Sequence, residues 1–399
     1  MSSYKIQGRY YDGKWLRENL FKITPATYPA KVTLTVAYDD TNLHVPSGWT
    51  YNVKYSYDGI TWSNLINCTG SDFVHDETIT INKPIYLMNC STDDAGNSVW
   101  QFFSEGGYLR CNQNYTVSGK FRYFFQDGKW PIKRIRRQDN SDIYRGKFNN
   151  LFRGSTTLTD ASGLDMWFDE FAATNPDPVE LKEAYRYMFQ GCTSLVYPPA
   201  TIYVPLNLGA LKTAQSYNIP SLDNLCSEMF EDCTSLVSAP ELPCMYVGNN
   251  IYSLMFKNCS SLVTPPLLPA NDNLRWRIQS LSDEYAGYTD CYSNMFYGCT
   301  SLTSVPQVNF TKFNNDACGL MFAKCGIKFS DTQSAETPYA YRVPASGTGT
   351  YYYEEAEQEL PFPGAYPTNE MFINEGDASY SKTPTLNTTY YISLPIRQQ

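Results

Sequence analysis

The chain of 399 residues is 42% hydrophobic, 15% aromatic and 18% charged, and its formal net charge is −9 at pH 7. Its length is sufficient for two or three domains, and no stretch approaches the roughly 18 apolar residues of a membrane span, so we expect no membrane insertion. An acidic chain is a poor match for nucleic acid, and two histidines with 12 widely spaced cysteines lead us to expect no metal and no cofactor.

Residues 1–30 are predicted to form an N-terminal arm that docks on a neighbouring subunit, because Asp12-Gly13 favours a turn and 24–29 resists regular structure. An edge hairpin of the following domain is the alternative. The opening residues 1–9 contain no apolar run, so we expect no export signal and a chain that folds in a reducing cytoplasm. Most cysteines are then expected to be free thiols.

Residues 31–118 are predicted to form a β-sandwich. Apolar and polar residues alternate with period two in 31–38 and 51–56, and at least six short strands are separated by turn signals such as Asp58-Gly59. The stretch 56–62 is similar to the Asp-box hairpin of sialidases, a structural element that those enzymes carry in several copies. Here there is one copy and no visible arginine cluster for a sialic carboxylate, so a glycan-degrading enzyme stays an alternative only.

The segment 119–150 is strongly basic, with nine Lys or Arg side chains against three Asp in an otherwise acidic chain. By position it is expected to cap a following solenoid at its N-terminal end. We also expect it to contact an acidic partner protein or a symmetry mate, with a solvated face as the alternative. The predicted partner-binding residues are Lys133, Arg134, Arg136 and Arg137.

A phrase that reads Met-Phe-x-x-Cys-Thr/Ser-Ser-Leu recurs through the second half of the chain. Its unit is about 26 residues long, and the longer spacings carry insertions of roughly 11 to 24 residues. We number each copy by its phenylalanine. The four full copies are at Phe189, Phe230, Phe256 and Phe296. Two related copies are at Phe152 and Phe322, and a weak echo is at Phe372.

Each unit is predicted to hold one short helix and one short strand, as expected for 179–189 and 195–197. One unit cannot bury its apolar face alone, so stacking is expected to place Phe on Phe, Leu on Leu and Cys on Cys. We therefore expect nearly complete burial of Phe230 and Leu236. The cysteines are interpreted as small apolar core residues, with disulfides or a metal site as alternatives.

The phrase resembles the BspA-type leucine-rich repeat, in which an apolar-Phe pair is followed by two residues, Cys, two residues, Leu and a strand. The resemblance covers about 150–330 and implies an α/β solenoid, which spans 119–330 with the basic cap. Here Met stands where that family often has Ala, and the Pro-rich exit 240–243 replaces a longer regular segment. Such repeats occur in surface proteins of gut bacteria and in virion proteins of their phages, which implies binding or scaffolding.

The insertions 206–221 and 271–289 are predicted to emerge from one side of the stack as exposed loops, where function usually sits. They contain aromatic and basic residues that the core does not need, and such side chains suit a cell-surface glycan or protein. The predicted ligand-binding residues are Tyr217, Arg275, Trp276, Arg277, Tyr285 and Tyr288.

Residues 331–399 depart from the repeat and are predicted to be a C-terminal extension that contains β-structure, with a final strand over 388–394. The fold class expected is multidomain and β-rich, with a β-sandwich, a solenoid and this extension. The chain contains no P-loop, GxGxxG, HExxH or GxSxG motif, so we expect no enzyme.

The expected function is that of a phage virion structural or decoration protein, made in the host cytoplasm and located at the virion surface. It would be a fibre or binding protein that attaches through its N-terminal part, associates with other virion proteins and forms homo-oligomers. An exported bacterial adhesin at the cell surface is the first alternative, and the glycan-degrading enzyme is the second.

Overall fold

The computed structural model describes the residues of part of the chain. Most of them lie in strands, bends and turns, helix is confined to a few residues between 14 and 19, and no closed barrel is formed, so the protein is β-rich. The described residues are 3–6, 9–12, 14, 18–37, 50–69, 74–90, 108–120, 134–136, 142–144, 150–166, 183, 185–202, 224–244, 248–268, 290–306, 308, 317–342, 350–352, 357–359 and 389–393.

Contacts divide the chain into two compact units: unit 1 comprises 1–174 and 187–203, and unit 2 comprises 175–186 and 204–399. The domain boundaries given above stay predictions. Unit 1 contains thirteen described strands, namely β1 (Ser3–Ile6), β2 (Arg9–Asp12), β3 (Lys22–Pro25), β4 (Ala30–Ala37), β5 (Thr50–Ser56), β6 (Ser63–Thr69), β7 (Val74–Ile81), β8 (Ile85–Asn89), β9 (Tyr108–Cys111), β10 (Tyr115–Lys120), β11 (Arg134–Arg136), β12 (Asp142–Tyr144) and β13 (Leu158–Asp165).

Two larger sheets and two hairpins organise these strands. One sheet has the order β13-β10-β3-β8-β5-β6, the other has the order β7-β4-β9, and β1-β2 and β11-β12 pair by themselves. Strand β8 is buried along its whole length because it is apolar and lies between β3 and β5. Residues 22–25, which belong to the predicted arm, form β3 inside the six-stranded sheet.

The pair β10–β13 is the one parallel strand pair in the larger sheet, and it joins the sheet to the first repeat copies. Gly119 of β10 has a φ of 100°, and a Cβ there would lie 2.1 Å from the carbonyl oxygen of Leu20, so no other residue fits. Around the copy at Phe152, the phenol of Tyr115 and the hydroxyl of Ser155 are 2.8 Å apart. The sheet thus provides neighbours for the first copy.

The repeat copies form two ladders of turns. The first turn ladder, in unit 1, contains the copies at Phe152 and Phe189, whose rings stack at 5.3 Å, with Phe21 stacked on Phe152 at 6.4 Å. The second turn ladder, in unit 2, contains four copies whose rings stack in sequence at 5.6, 5.7 and 5.5 Å. These four are Phe230, Phe256, Phe296 and Phe322.

Backbone hydrogen bonds alternate along each copy. In the copy at Phe230, the N–H groups of Met229 and Glu231 donate to the carbonyl three residues earlier. The intervening N–H groups of Glu228, Phe230 and Asp232 donate to the next copy at 2.9 Å each. Every second peptide therefore closes a turn, and every other one ties two copies together.

The helix predicted over 179–189 is wrong at the described positions, which are turns. Glu183 and Tyr187 both have a φ of 59°, four residues apart, and the later copies repeat this spacing at Asn250, Leu254 and Asn258. A right-handed helix requires a negative φ at every residue, so the chain reverses hand too often to continue one. Because a period of four is close to 3.6, the apolar spacing was misleading. The strand predicted over 195–197 is reduced to one parallel bridge, between Tyr197 and Asp160.

The expected core positions are confirmed. Phe230 and Leu236 are both 0% exposed, as are the Met, Phe and Cys of every full copy and the Leu that closes it. The ring distances also confirm that Phe stacks on Phe. Identical side chains meet because each copy places the same residue at the same height in the ladder.

The described residues in the rest of unit 2 include five short strands. The strand predicted over 388–394 is present as β18, which lies between β14 and β15 in a three-stranded antiparallel sheet, and β16 pairs with β17. Tyr341 of β15 meets Phe322 edge to face at 6.2 Å, so this sheet contacts the last turn copy. The five strands are β14 (Phe329–Ser330), β15 (Tyr339–Arg342), β16 (Thr350–Tyr352), β17 (Glu357–Glu359) and β18 (Thr389–Ile392).

Candidate functional site

The side chains predicted to bind a ligand or a partner all lie outside the part of the chain whose side chains the structure describes, so these assignments stay predictions. Segments 203–223 and 269–289 are not described, and of the four predicted partner-binding residues only Arg134 and Arg136 are described, as backbone of β11. The residues concerned are Tyr217, Arg275, Trp276, Arg277, Tyr285, Tyr288, Lys133, Arg134, Arg136 and Arg137.

The structure does define the described residues that flank one of these insertions. In the second turn ladder, the apolar side chains of Leu242, Leu268 and Val308 lie twelve residues beyond the phenylalanine of their copies, and all three are buried. Six residues before the next phenylalanine, Asn250 and Asp290 both have a φ of 54° and begin the following turns. We call the junction between Leu268 and Asp290, at which the segment 269–289 is inserted, the insertion corner.

Sequence spacing and spatial spacing disagree at this corner. Phe256 and Phe296 are 40 residues apart, yet their rings stack at 5.7 Å, and Phe256 N–H donates to Met295 at 2.9 Å. Phe296 and Phe322 are 26 residues apart and stack at 5.5 Å. The longer sequence spacing does not increase the distance between the rings, so the sequence between Leu268 and Asp290 is longer than the stacking of the two copies requires.

The base of the insertion corner contains a buried leucine next to an exposed one. Leu268 is fixed in the core, whereas the preceding Leu267 is 84% exposed, the most exposed large apolar side chain described. An apolar side chain at the base of an inserted segment suits contact with that segment or with a ligand that it binds. Chemically, Leu267 and Leu268 give the described part of the corner an apolar character.

The charged and amide side chains of Glu231, Asp232, Lys257 and Asn258 form what we call the outer row of the second turn ladder. They interact with one another. Lys257 Nζ lies 2.9 Å from Glu231 Oε1, and Asn258 Nδ2 donates to Asp232 Oδ1 at 2.9 Å. The hydrogen bond that Lys257 donates to Glu231 is the main cause of the raised pKa of Lys257. These contacts join neighbouring copies, so the row holds the copies in register.

The cysteines of the repeat are structural hydrogen-bond donors. The thiols of Cys192, Cys259 and Cys299 each donate to the carbonyl oxygen of the phenylalanine in the preceding copy of their ladder at 3.1 Å, and Cys325 does so at 2.8 Å. Burial raises the pKa of Cys192 and of Cys325 to about 12, so neither forms a thiolate at neutral pH. All eleven cysteines whose side chains are described are free thiols, consistent with the core interpretation.

A second buried stack accompanies the phenylalanines in unit 2. The rings of Tyr252 and Tyr292 are nearly parallel at 5.8 Å, and Cys226, Cys244 and Cys291 lie near them. Burial raises the pKa of both phenols well above the ordinary value. The Tyr252 hydroxyl has no hydrogen-bond partner among the described residues. These groups are sealed from solvent, so they do not form a catalytic site.

The hairpin that is similar to an Asp-box is built as a structural turn. The Asp58 carboxylate accepts hydrogen bonds from the N–H groups of Ile60 and Thr61 at 2.8 and 2.7 Å, and Ser56 Oγ accepts from Gly59 at 2.9 Å. The bonds from Thr61 and Ile60 lower the pKa of Asp58 to about 2. Because this carboxylate is occupied by its own turn, it is not available as a catalytic acid.

Other classes of site are absent from the described residues. No group of three or more His, Cys, Asp or Glu side chains there is placed to hold a metal ion. The described segments also include no helix with the length and apolar character needed to cross a bilayer. No family model, curated protein or solved structure matches this chain.

Proposed function

We propose that this chain is a structural or decoration protein of a phage virion, either a fibre or another binding protein exposed at the particle surface. It attaches through its N-terminal part and presents a leucine-rich solenoid of the BspA type over 119–330 for recognition of a host surface or a protein. The segment 31–118 is a β-sandwich in this proposal, and 331–399 is an extension. In this proposal the protein forms a homo-oligomer and associates with other virion proteins. It has no cofactor and no catalytic activity.

The observation that carries the proposal is the insertion corner. Phe256 and Phe296 stack as closely as copies without an insertion, so the stacking does not require the length of 269–289. A ladder whose charges and thiols are used internally supplies rigidity, and the inserted segment supplies the variable surface. That segment contains Trp276 and Tyr285, whose rings suit contact with sugars or with a protein surface.

Replacing both Trp276 and Tyr285 by alanine tests the proposal. We expect binding to host cells to fall by at least about tenfold, because aromatic anchors typically contribute 2 kcal/mol or more at an interface. The melting temperature should not change, because these rings are additional to the ladder. Tyr339→Ala is the matched control, since Tyr339 is 53% exposed and lies in the same unit but in β15.

Location requires a separate measurement. Quantitative mass spectrometry of purified particles should find the chain in a fixed ratio to the major capsid protein. Recovery in the bacterial envelope instead would identify an adhesin. Loss of fold in the double variant, with Tyr339→Ala unaffected, would show that 269–289 belongs to the core.

A further inference from the structure

Two arginines of unit 1 meet the same turn of the copy at Phe152, one as part of the turn and one from β9, and no described carboxylate pairs with either. Arg110 of β9 stacks over the ring of Tyr108 at 3.8 Å, and Arg153 stacks over the ring of Tyr187 at 4.6 Å. Arg110 Nη2 lies 3.2 Å from the position of a Cβ at Gly154, the residue that follows Arg153. We call these four side chains the Arg–Tyr patch.

The guanidinium groups of this patch keep most of their donors available. Arg153 Nη1 donates to Asn150 Oδ1 at 3.3 Å, and the described residues contain no acceptor for Arg110. Stacking on a tyrosine holds the plane of a guanidinium while its N–H edges stay free to donate. Neither arginine forms an ion pair with a described carboxylate although the chain has a net charge of −9, so a bound anion would supply the missing counter-charge.

We propose that the Arg–Tyr patch binds the carboxylate of an acidic polysaccharide. A planar fork matches a carboxylate in bidentate geometry, and the partly exposed Tyr108 and Tyr187 offer aromatic surface to the sugar ring that carries it. The patch is too small, and the chain too acidic, to attract a densely charged polymer such as nucleic acid. This site is in unit 1 and does not rest on the function proposed for the insertions.

This inference is tested by measuring the affinity of oligogalacturonate for the full chain with titration calorimetry at low salt. The methyl-esterified oligomer has the same sugar rings without the charge, so it should bind at least about tenfold more weakly. Roughly 0.5 M salt should weaken binding of the acid form as well. Equal affinity for the two oligomers, or no binding of either, would overturn the proposal.

Variants locate the site. Arg110→Gln with Arg153→Gln should abolish measurable binding, and Arg110→Lys with Arg153→Lys should weaken it at least about tenfold because the charge remains while the fork is lost. Lys83→Gln is the matched control, since Lys83 Nζ also lies over a tyrosine ring, that of Tyr57, at 4.9 Å. If the glutamine variant does not fold, the lysine variant decides. Unchanged binding by the lysine variant, or an equal loss in Lys83→Gln, would contradict the assignment, and preferential binding of polyglutamate would identify an acidic peptide instead.

Discussion

The six-stranded sheet of unit 1 and the second turn ladder of unit 2 use the same backbone chemistry in different ways. In the sheet, an interior strand such as β8 has a strand on each side, and its side chains differ at every position. In the ladder, every second N–H is bonded to the next copy, and the others close turns within their own copy. In the ladder, hydrogen bonds within a turn replace the bonds that an interior strand makes to one of its two neighbours. A copy can therefore satisfy its peptide groups with fewer neighbouring segments than an interior strand needs.

This difference has a consequence for mutations. The sheet residue Met88 belongs to a cluster of unlike side chains with Leu20 and Tyr86, whereas Phe256 lies between two identical rings at 5.6 and 5.7 Å. Loss of one ring in the ladder therefore removes two stacked contacts. It also leaves a cavity that the side chains of the two adjacent copies do not fill. We expect the ladder to be more sensitive to single substitutions at its centre than the sheet is.

The largest effect should come from Phe256→Ala. We expect it to lower the free energy of unfolding by about 3–5 kcal/mol, because a fully buried ring is lost and a cavity stays between two copies. Chemical denaturation of the full chain measures this change. Leu267→Ala in the same copy should cost less than about 0.5 kcal/mol, since Leu267 is exposed. A similar cost for both variants would mean that the stacked rings are not a core.

The next effect should be a loss of stability of the second turn ladder at high pH. Burial raises the pKa of the Cys325 thiol from the ordinary 9.0 to about 12, so the folded state favours the protonated thiol. The resulting stabilisation is complete below pH 9 and is lost as the pH rises from about 9 to about 12, at no more than about 1.4 kcal/mol per pH unit for each thiol.

Denaturation midpoints measured between pH 8 and pH 11 test this expectation. Cys325→Ala should reduce the slope of stability against pH, whatever it does to stability at neutral pH. An unchanged slope, or rapid labelling of native Cys192, Cys259 and Cys325 by a thiol reagent at pH 8, would contradict the buried thiol ladder.

The smallest effect concerns the turns themselves. Leu254 has a φ of 59°, a conformation that costs a leucine about 1–2 kcal/mol, and the equivalent residue in the next copy is Asn294. Leu254→Asn should therefore stabilise the ladder by on the order of 1 kcal/mol. Thermal unfolding measures the gain. Destabilisation by more than 1 kcal/mol would show that the partly buried leucine side chain contributes more than its backbone strain costs.

The repeat could be predicted from the sequence, but its local conformation could not. Identical residues at fixed positions predict that Phe stacks on Phe and that Leu236 is buried, because stacking is a consequence of the repetition itself. The helix was predicted wrongly because apolar spacing does not distinguish a period of 3.6 from turns that recur every four residues. The residues Asn250, Asn258 and Asp290 did carry a signal, since Asn and Asp favour the left-handed region.

The chemistry of single side chains was less predictable. The cysteines were expected to be small core residues, and nothing in their spacing indicated that their thiols donate to a phenylalanine carbonyl. The Arg–Tyr patch was also missed, because Arg110 and Arg153 are 43 positions apart and come together only through the fold. The ligand-binding residues proposed for the insertions stay predictions.

The most direct test of the account is to shorten the insertion corner. Residues 269–289 would be replaced by a copy of 243–249, the short link that joins Leu242 to Asn250 between the two preceding copies. Chemical denaturation and host-cell binding would be measured on the same preparation. The account predicts an unchanged free energy of unfolding and a loss of binding. An unfolded protein, or a folded one that binds host cells as before, would contradict the claim that the ladder is a scaffold and the insertion is its recognition surface.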